Sequence, residues 1–285
     1  MKGELEKSIY WHKIKNADTE AAEGLLRANE DMSVSACARF LSKASGDHAW
    51  ILKKKSGEIN AVLLSSRSTI MPVLCGRGDI PQNGFPFGFL KKKKVHSIQG
   101  LTEDVKLLEK IMTHAGRVVA DFYDYDLMSL DTYPDTKNNM SFPSNLVLCV
   151  PQLTDLDAIA PLQAAYEKEE VLPKGSSFSP AASRMNIANI IANGQILAAR
   201  INGMFVGKIN VSAVSFTRYQ VGGVYVHPDF RSQGIAGYMA REFISSLIEK
   251  RRGVSLFVKK NNLPACSLYK SLGFNIIGSY RITYY

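Results

Sequence analysis

The chain predicts an α/β (α+β) fold of two similar domains in tandem, and three observations carry that prediction. Near the C-terminal end an apolar strand, Val221 to Val226, passes through a small-residue turn into a long helical pattern, Tyr238 to Lys250. From Asn145 onward the elements read strand, helix, helix, strand, strand, then strand–turn–helix, strand–helix and a last strand. The residues before Asn145 repeat that order coarsely. With 285 residues, the chain is too long for one unit of about 140 residues, so the first half needs its own core.

In the first half, Thr19 to Asn29 and Val34 to Lys43 have helical spacing. Trp50 to Lys55 and Glu58 to Ser65 flank Ser56-Gly57 as a hairpin, and Thr69 to Leu74 follows as a strand. Thr102-Glu103-Asp104 caps a helix Val105 to His114, and Val118 to Met128 reads as a strand region broken by acids. Between them, Gly76 to Gly88 is a Gly/Pro/Asn loop, and Lys91 to Lys94 form a solvated lysine run. Too few aromatics accompany those lysines for base stacking, so nucleic acid is not expected as a partner. The boundary falls in Asp135 to Asn145, where Pro134, Asn138, Asn139, Pro143 and Ser144 break every period, giving domains 1–140 and 141–285.

In the second half, Leu146 to Val150 is a strand ended by Pro151, and Asp155 and Asp157 open a helix through Tyr166. Ser179-Pro180 begins a second helix that ends at Asn193-Gly194. Gln195 to Ile201 and Met204 to Val214 flank Asn202-Gly203, a strong hairpin signal. Val254 to Lys260 is a buried strand, Ala265 to Leu272 a short helix with Gly273 as its C-cap, and Asn275 to Tyr285 the last strand.

The chemistry concentrates after Val226. Pro228 cannot extend a ladder, and Arg231-x-x-Gly234-x-Ala236 leads straight into the helix. Such a turn leaves the backbone amides around Ser232, Gln233, Gly234, Ile235, Ala236 and Gly237 unpaired at the positive end of a helix dipole, which suits a pyrophosphate. Gly234 and Ala236 must stay small so that the backbone can approach it. No Gly-x-x-x-x-Gly-Lys-Ser/Thr is present, and the glycines do not follow the dinucleotide pattern.

This loop, followed by Asn262, a short helix carrying Tyr269, and Gly273-Phe274, resembles the GNAT-type N-acetyltransferases. The first half is similar to the degenerate GNAT-like domain that precedes a competent one in tandem members. The resemblance implies a mixed, mostly antiparallel sheet flanked by helices in each domain. It also implies acetyl-CoA as co-substrate and direct attack by an amine in a ternary complex. Val224, Tyr225 and Val226 would line the pantetheine arm, Arg231 to Gly237 would take the diphosphate, and Asn262 and Ala265 would lie along the arm. Tyr269 would give its proton to the departing thiolate; a phenol remains protonated at neutral pH and can donate.

The strand before the loop, Gln220-Val221-Gly222-Gly223-Val224, lacks the carboxylate that many relatives carry there. Glu167, Glu169 and Glu170 are the acidic candidates, with Glu167 and Glu170 three apart on one helical face to hold a cationic substrate. His227 is a further candidate base, since histidine is the side chain that most often exchanges protons near neutral pH, and Gly222-Gly223 would leave room for the amine.

Net charge is +9. It is uneven: 20 Lys+Arg face 18 Asp+Glu up to Phe142, and 15 face 8 from Pro143 on. Arg251, Arg252, Lys259 and Lys260 are the expected source of a field that draws a phosphorylated co-substrate. Cys37, Cys75, Cys149 and Cys266 show no Cys-x-x-Cys, and the five histidines have no metal-ligand spacing, so neither disulfides nor a metal are expected. The first residues have no apolar core and no long apolar span follows, so a cytoplasmic protein without membrane contact is expected. The acceptor would be a small-molecule or peptide amine. A non-catalytic CoA-binding sensor and an aminoacyl transferase using charged tRNA are the alternatives.

Overall fold

The computed structural model describes residues 9–75, 85–92, 94–132, 141–173, 175–250 and 253–285. It divides into two compact units. Unit 1 comprises Met1–Leu127, Phe257–Asn261 and Ile276–Tyr285, and unit 2 comprises Met128–Leu256 and Asn262–Asn275. One cut in the chain does not separate them, because the polypeptide returns to unit 1 twice after leaving it.

In unit 1 the strands are β1 (Ile9–Lys13), β2 (His48–Lys54), β3 (Ile59–Ser66), β4 (Thr69–Leu74), β5 (Ser97–Leu101), β6 (Asp121–Leu130) and the C-terminal β12 (Asn275–Tyr284). They lie in the order β1-β2-β3-β4-β5-β12-β6. The first four pair antiparallel, β4 and β5 are parallel, and β12 runs antiparallel to β5. Helices α1 (Thr19–Ala28), α2 (Val34–Ser42), α3 (Phe87–Lys92) and α4 (Thr102–His114) accompany them. Trp11, Leu63, Ile98, Val105 and Leu108 form the core, each almost free of solvent contact. Burial of a side chain this size stabilises by about 2 kcal/mol.

Three of these elements escape the sequence signals. β1 is a five-residue strand, and β5 carries Gly100, where a Cβ would press on the Pro72 carbonyl at 3.2 Å. The close approach of two backbones selects that glycine. Helix α3 includes Gly88 within the segment expected as loop. Residues 76–84 of that loop, Lys93 of the lysine run, and 135–140 of the expected linker lie outside the described residues.

Unit 2 repeats the plan. Strands β7 (Leu146–Cys149), β8 (Ile196–Ile201), β9 (Met204–Val214), β10 (Arg218–Val226) and β11 (Gly253–Lys259) lie in the order β11-β10-β9-β8-β7. Antiparallel pairing runs from β7 to β10, and β10 and β11 are parallel. Asn202 (φ 50°) and Gly203 (φ 81°) take the left-handed backbone that their hairpin demands. The helices are α5 (Leu156–Tyr166), α6 (Pro180–Ala192), α7 (Ile235–Ile248) and α8 (Leu263–Ser271). Ser179 caps α6 by accepting from the Ala182 amide at 3.3 Å, with Pro180 in the first turn. Ile159, Leu162, Ile187 and Ile196 seal α5 and α6 onto the sheet.

Both units therefore place an antiparallel run beside one parallel pair, a mixed α/β architecture of two similar halves. No described helix is long and apolar enough to cross a membrane. The four cysteines are free.

Candidate active site

The parallel pair β10–β11 shapes the site. Its register covers Arg218–Gln220 against Gly253–Ser255. Past Gln220, β10 carries bulges between Gln220 and Val221 and between Gly222 and Tyr225. A bulge bends the strand and redirects its side chains. Gly223, at φ 63°, supplies the left-handed residue.

Gly223 does not open space for an amine, contrary to the sequence expectation, whereas a Cβ on Gly222 would meet only the Ser212 side chain at 3.4 Å. A Cβ on Gly223 would run into the Asn210 side-chain oxygen and meet the Lys208 Nζ at 2.8 Å. The vacated volume is filled by this chain's own polar side chains from β9.

After β10 the 3₁₀ turn Pro228–Phe230 leads to Ser232 (φ 62°) and Gly234 (φ 74°), both left-handed, and then to α7. Among the described residues none accepts a hydrogen bond from the amides of 232–237. The first return bond of the helix is Tyr238 N–H to the Gly234 carbonyl, at 3.0 Å. These are the orphan donors of a helix start, where the dipole favours an anion. The Ser141 carbonyl lies against Gly234, close enough to block a Cβ there. Phe142 stacks on Tyr238 with ring centroids 4.1 Å apart and planes 8° off parallel.

Arg231 does not point at the loop's amides. Its Nε donates to the Val226 carbonyl at 3.0 Å and its Nη2 to Glu169 Oε2 at 2.9 Å. Glu169 also accepts from the Tyr225 hydroxyl at 3.2 Å. Glu169 thus ties the end of the first helix of unit 2 to the turn after β10.

That helix end is not α-helical. Glu167–Val171 forms a π turn, closed by Leu172 N–H to the Glu167 carbonyl at 2.8 Å. The wider turn spoils the shared α-helical face expected for Glu167 and Glu170. Glu167 Oε1 accepts from Gln163 at 2.7 Å and from Asn186 at 3.0 Å, which orients it toward α6. Glu170 stays half-buried, its charge felt by the hydroxyls of Tyr166 and Tyr269.

Tyr269, on α8, packs its ring against Phe274 and is buried. Its hydroxyl makes no hydrogen bond among the described residues, yet it is not one of the side-chain oxygens sealed from solvent without a partner. Burial pushes the phenol pKa upward, with Tyr166, Glu170 and Cys266 adding to the shift. It therefore keeps its proton throughout the neutral range. Tyr166 is pushed up to about 12, chiefly by burial. The Gly223 amide donates to its hydroxyl at 3.3 Å.

Other expected residues have structural partners. Asn262 Oδ1 caps α8 by accepting from the Ala265 amide at 3.2 Å. His227 Nδ1 accepts from the Asp229 amide at 3.4 Å on an exposed turn. Lys259 lies over the Tyr123 ring, and Lys260 donates to Ser279 and faces Asp126, all within unit 1. Arg251 and Arg252 lie outside the described residues. No group of acidic, His or Cys residues suited to a metal occurs among the described residues.

Lys208, Asn210 and Tyr166 were missed by motif reasoning. A lysine and an asparagine inside the otherwise apolar strand Phe205–Val211 were the signal available.

The family model described as acetyltransferase (GNAT) matches residues 162–274. The catalytic subunit NAA20 of the N-terminal acetyltransferase B complex of Arabidopsis thaliana is 35% identical over 79 residues. That stretch is 27% of this chain and 45% of the plant protein, so the match spans under half of that relative. A GCN5-related N-acetyltransferase from Sphaerobacter thermophilus superposes with a TM-score of 0.61 at 18% identity, covering 96% of this chain and 94% of that one. A tandem GNAT protein from the clavulanic acid biosynthesis pathway gives 0.57 at 13%, covering 96% and 97%. At such identities the structures speak for the fold, and the fold they share extends over both halves. Residues 162–274 are a domain of the acetyltransferase (GNAT) family.

Proposed function

We propose that residues 141–285 transfer an acetyl group from acetyl-CoA to a small-molecule or peptide amine by direct attack in a ternary complex. Residues 1–140 are the non-catalytic, GNAT-like half. The observation that carries this reading is the set of unpartnered amides at 232–237, where the helix start offers donors and positive potential for a diphosphate. Backbone groups of Val224 to Val226 take the pantetheine arm as an added strand.

When the amine attacks the thioester carbonyl, an N–C bond forms and the C–S bond breaks. Tyr269 passes its proton to the sulfur, and its hydroxyl, protonated at neutral pH and without a hydrogen-bond partner among the described residues, suits that step. Glu170 receives the cationic amine and passes to solvent the proton that the amine must lose before it can attack. The second N–H proton, released as the amide forms, restores the Tyr269 phenol through water. Glu167, already held by Gln163 and Asn186, orients the π turn. Acetyl-CoA and an amine in, CoA thiol and an amide out, is the balance, with no metal required.

A CoA-binding sensor without turnover is the second reading, favoured by the lack of any carboxylate on Arg218–Val226. Release of free thiol from acetyl-CoA across a panel of amines separates the two. Thiol release stimulated by an amine is expected. Calorimetric binding with no release for any amine establishes the sensor, and no binding at all removes both readings.

The cradle has its own test. Ala236→Glu places a carboxylate in the first turn of α7, where it favours the helix, but also where the diphosphate charge would lie. We expect CoA affinity to fall more than tenfold by calorimetry while Tm holds or rises. Unchanged affinity would mean that the diphosphate sits elsewhere.

A further inference from the structure

Lys208 is the largest fully buried side chain among the described residues, at 0% exposure. Its Nζ donates to the Gly223 carbonyl at 2.8 Å and to Asn210 Oδ1 at 3.1 Å, and it stands 4.5 Å from the centre of the Tyr166 ring. Among the described residues no carboxylate is bonded to it. The same Gly223 peptide gives its N–H to the Tyr166 hydroxyl. One residue, at φ 63° in the bulge of β10, is therefore held at both its amide and its carbonyl by side chains from two other elements.

A lysine is an expensive choice for this position. A buried amine loses its hydration, and an apolar residue of equal length fills the same space. A mere spacer beneath a bulge would be methionine or leucine.

We propose that Lys208 is a positioning residue, whose amine holds the Gly223 carbonyl so that Val224–Val226 stay turned out of the parallel pairing with β11. This rests on the acetyl-transfer reading for its functional consequence, since those three residues would carry the co-substrate arm. The bulge itself does not depend on that reading. Without the amine the Gly223 carbonyl loses its partner, and the left-handed bulge competes with an ordinary strand that closes against β11.

The groups facing the amine are Tyr166 from α5, Glu167 from the π turn, and Tyr225 opposite it on β10. Burial lowers the Lys208 pKa to about 7, opposed by Glu167. The sign follows from linkage. The unfolded chain binds this proton up to about pH 10.4, whereas the folded chain releases it near 7. Lys208 therefore penalises folding at pH 7 and below, and the penalty fades as pH rises toward 10.

Lys208→Met is the test, read in three ways. Tm at pH 7 is expected to hold or rise, with the gain over wild type shrinking between pH 7 and 10. Amide hydrogen exchange of Gly223 to Val226 is expected to quicken at least tenfold. At temperatures well below Tm, kcat/KM for acetyl-CoA is expected to fall at least tenfold. A lower Tm with unchanged exchange and kinetics would make Lys208 a structural residue only and overturn the proposal. A higher Tm with unchanged exchange would overturn it as well. Should the wild-type protein transfer no acetyl group, the exchange measurement still decides whether Lys208 holds the bulge, so the two failures are distinguishable.

Discussion

Tyr269→Phe is expected to lower turnover about a hundredfold or more at saturating acetyl-CoA, within the range of a lost general acid. The affinity for CoA should stay within about twofold, because the variant keeps the ring and its packing on Phe274. Stability should change by less than about 1 kcal/mol, since the hydroxyl makes no hydrogen bond among the described residues that its removal would break. A fall in kcat without a change in binding is the signature of a group needed only in the transition state. Equal kcat for the two proteins would remove Tyr269 as the donor. The next hydroxyl to test is then Tyr166, whose electrostatic influence reaches Tyr269. The pH dependence adds a second check. Because burial raises the Tyr269 pKa, loss of activity by ionisation of this phenol should begin only above about pH 10, the range of an ordinary phenol.

Arg281→Met should destabilise unit 1 by about 3 kcal/mol. Arg281 sits on β12, buried, with Nε and Nη2 on the two oxygens of Asp124 at 2.8 and 2.9 Å. Glu109 lies 3.5 Å away, and the guanidinium covers the Phe122 ring at 4.1 Å from its centre. Removing one partner of such a buried pair leaves the carboxylates without compensation. The figure sits at the low end of that range because the Asp124 side chain is 34% exposed. Exchange protection in peptides of β5, β6 and β12 reports the loss, and a variant within about 0.5 kcal/mol of wild type would show that the pair contributes little.

The acid limb has a definite sign. The Arg281 hydrogen bond holds the Asp124 pKa below the ordinary carboxylate value. Its contribution is complete above the unfolded pKa, near 3.9, and is lost as pH falls through the lower, folded value. The gap between wild type and Arg281→Met should therefore be flat above about pH 5 and narrow below about pH 4.

Much of the second half was legible without coordinates because its signals are local. Asn202-Gly203 demands a left-handed turn whatever surrounds it, Ser179-Pro180 caps its own helix, and Gly273 (φ 92°) ends α8. The Arg-x-x-Gly-x-Ala turn belongs with these, since a helix start leaves its first amides unpaired by geometry alone. In the first half, β1 and β5 lack such markers. Each is five residues long, too short for a period of two to stand out.

Roles were less legible than elements. Glu167 and Glu170 looked paired under α-helical spacing, and a π turn changed their directions. Gly222-Gly223 looked like room for substrate, and Lys208 and Asn210 fill the side of it next to Gly223.

The sequence by itself determined the element order of the second half, the tandem plan and the donor-rich turn, because each follows from preferences among residues a few positions apart. Only the tertiary structure decided that the last strand serves unit 1, and that a lysine and a tyrosine grip one glycine of the bulge. The physical reason is separation along the chain. Arg281 and Asp124 are 157 residues apart and Tyr166 and Gly223 are 57 apart, distances over which no periodicity or turn preference carries information.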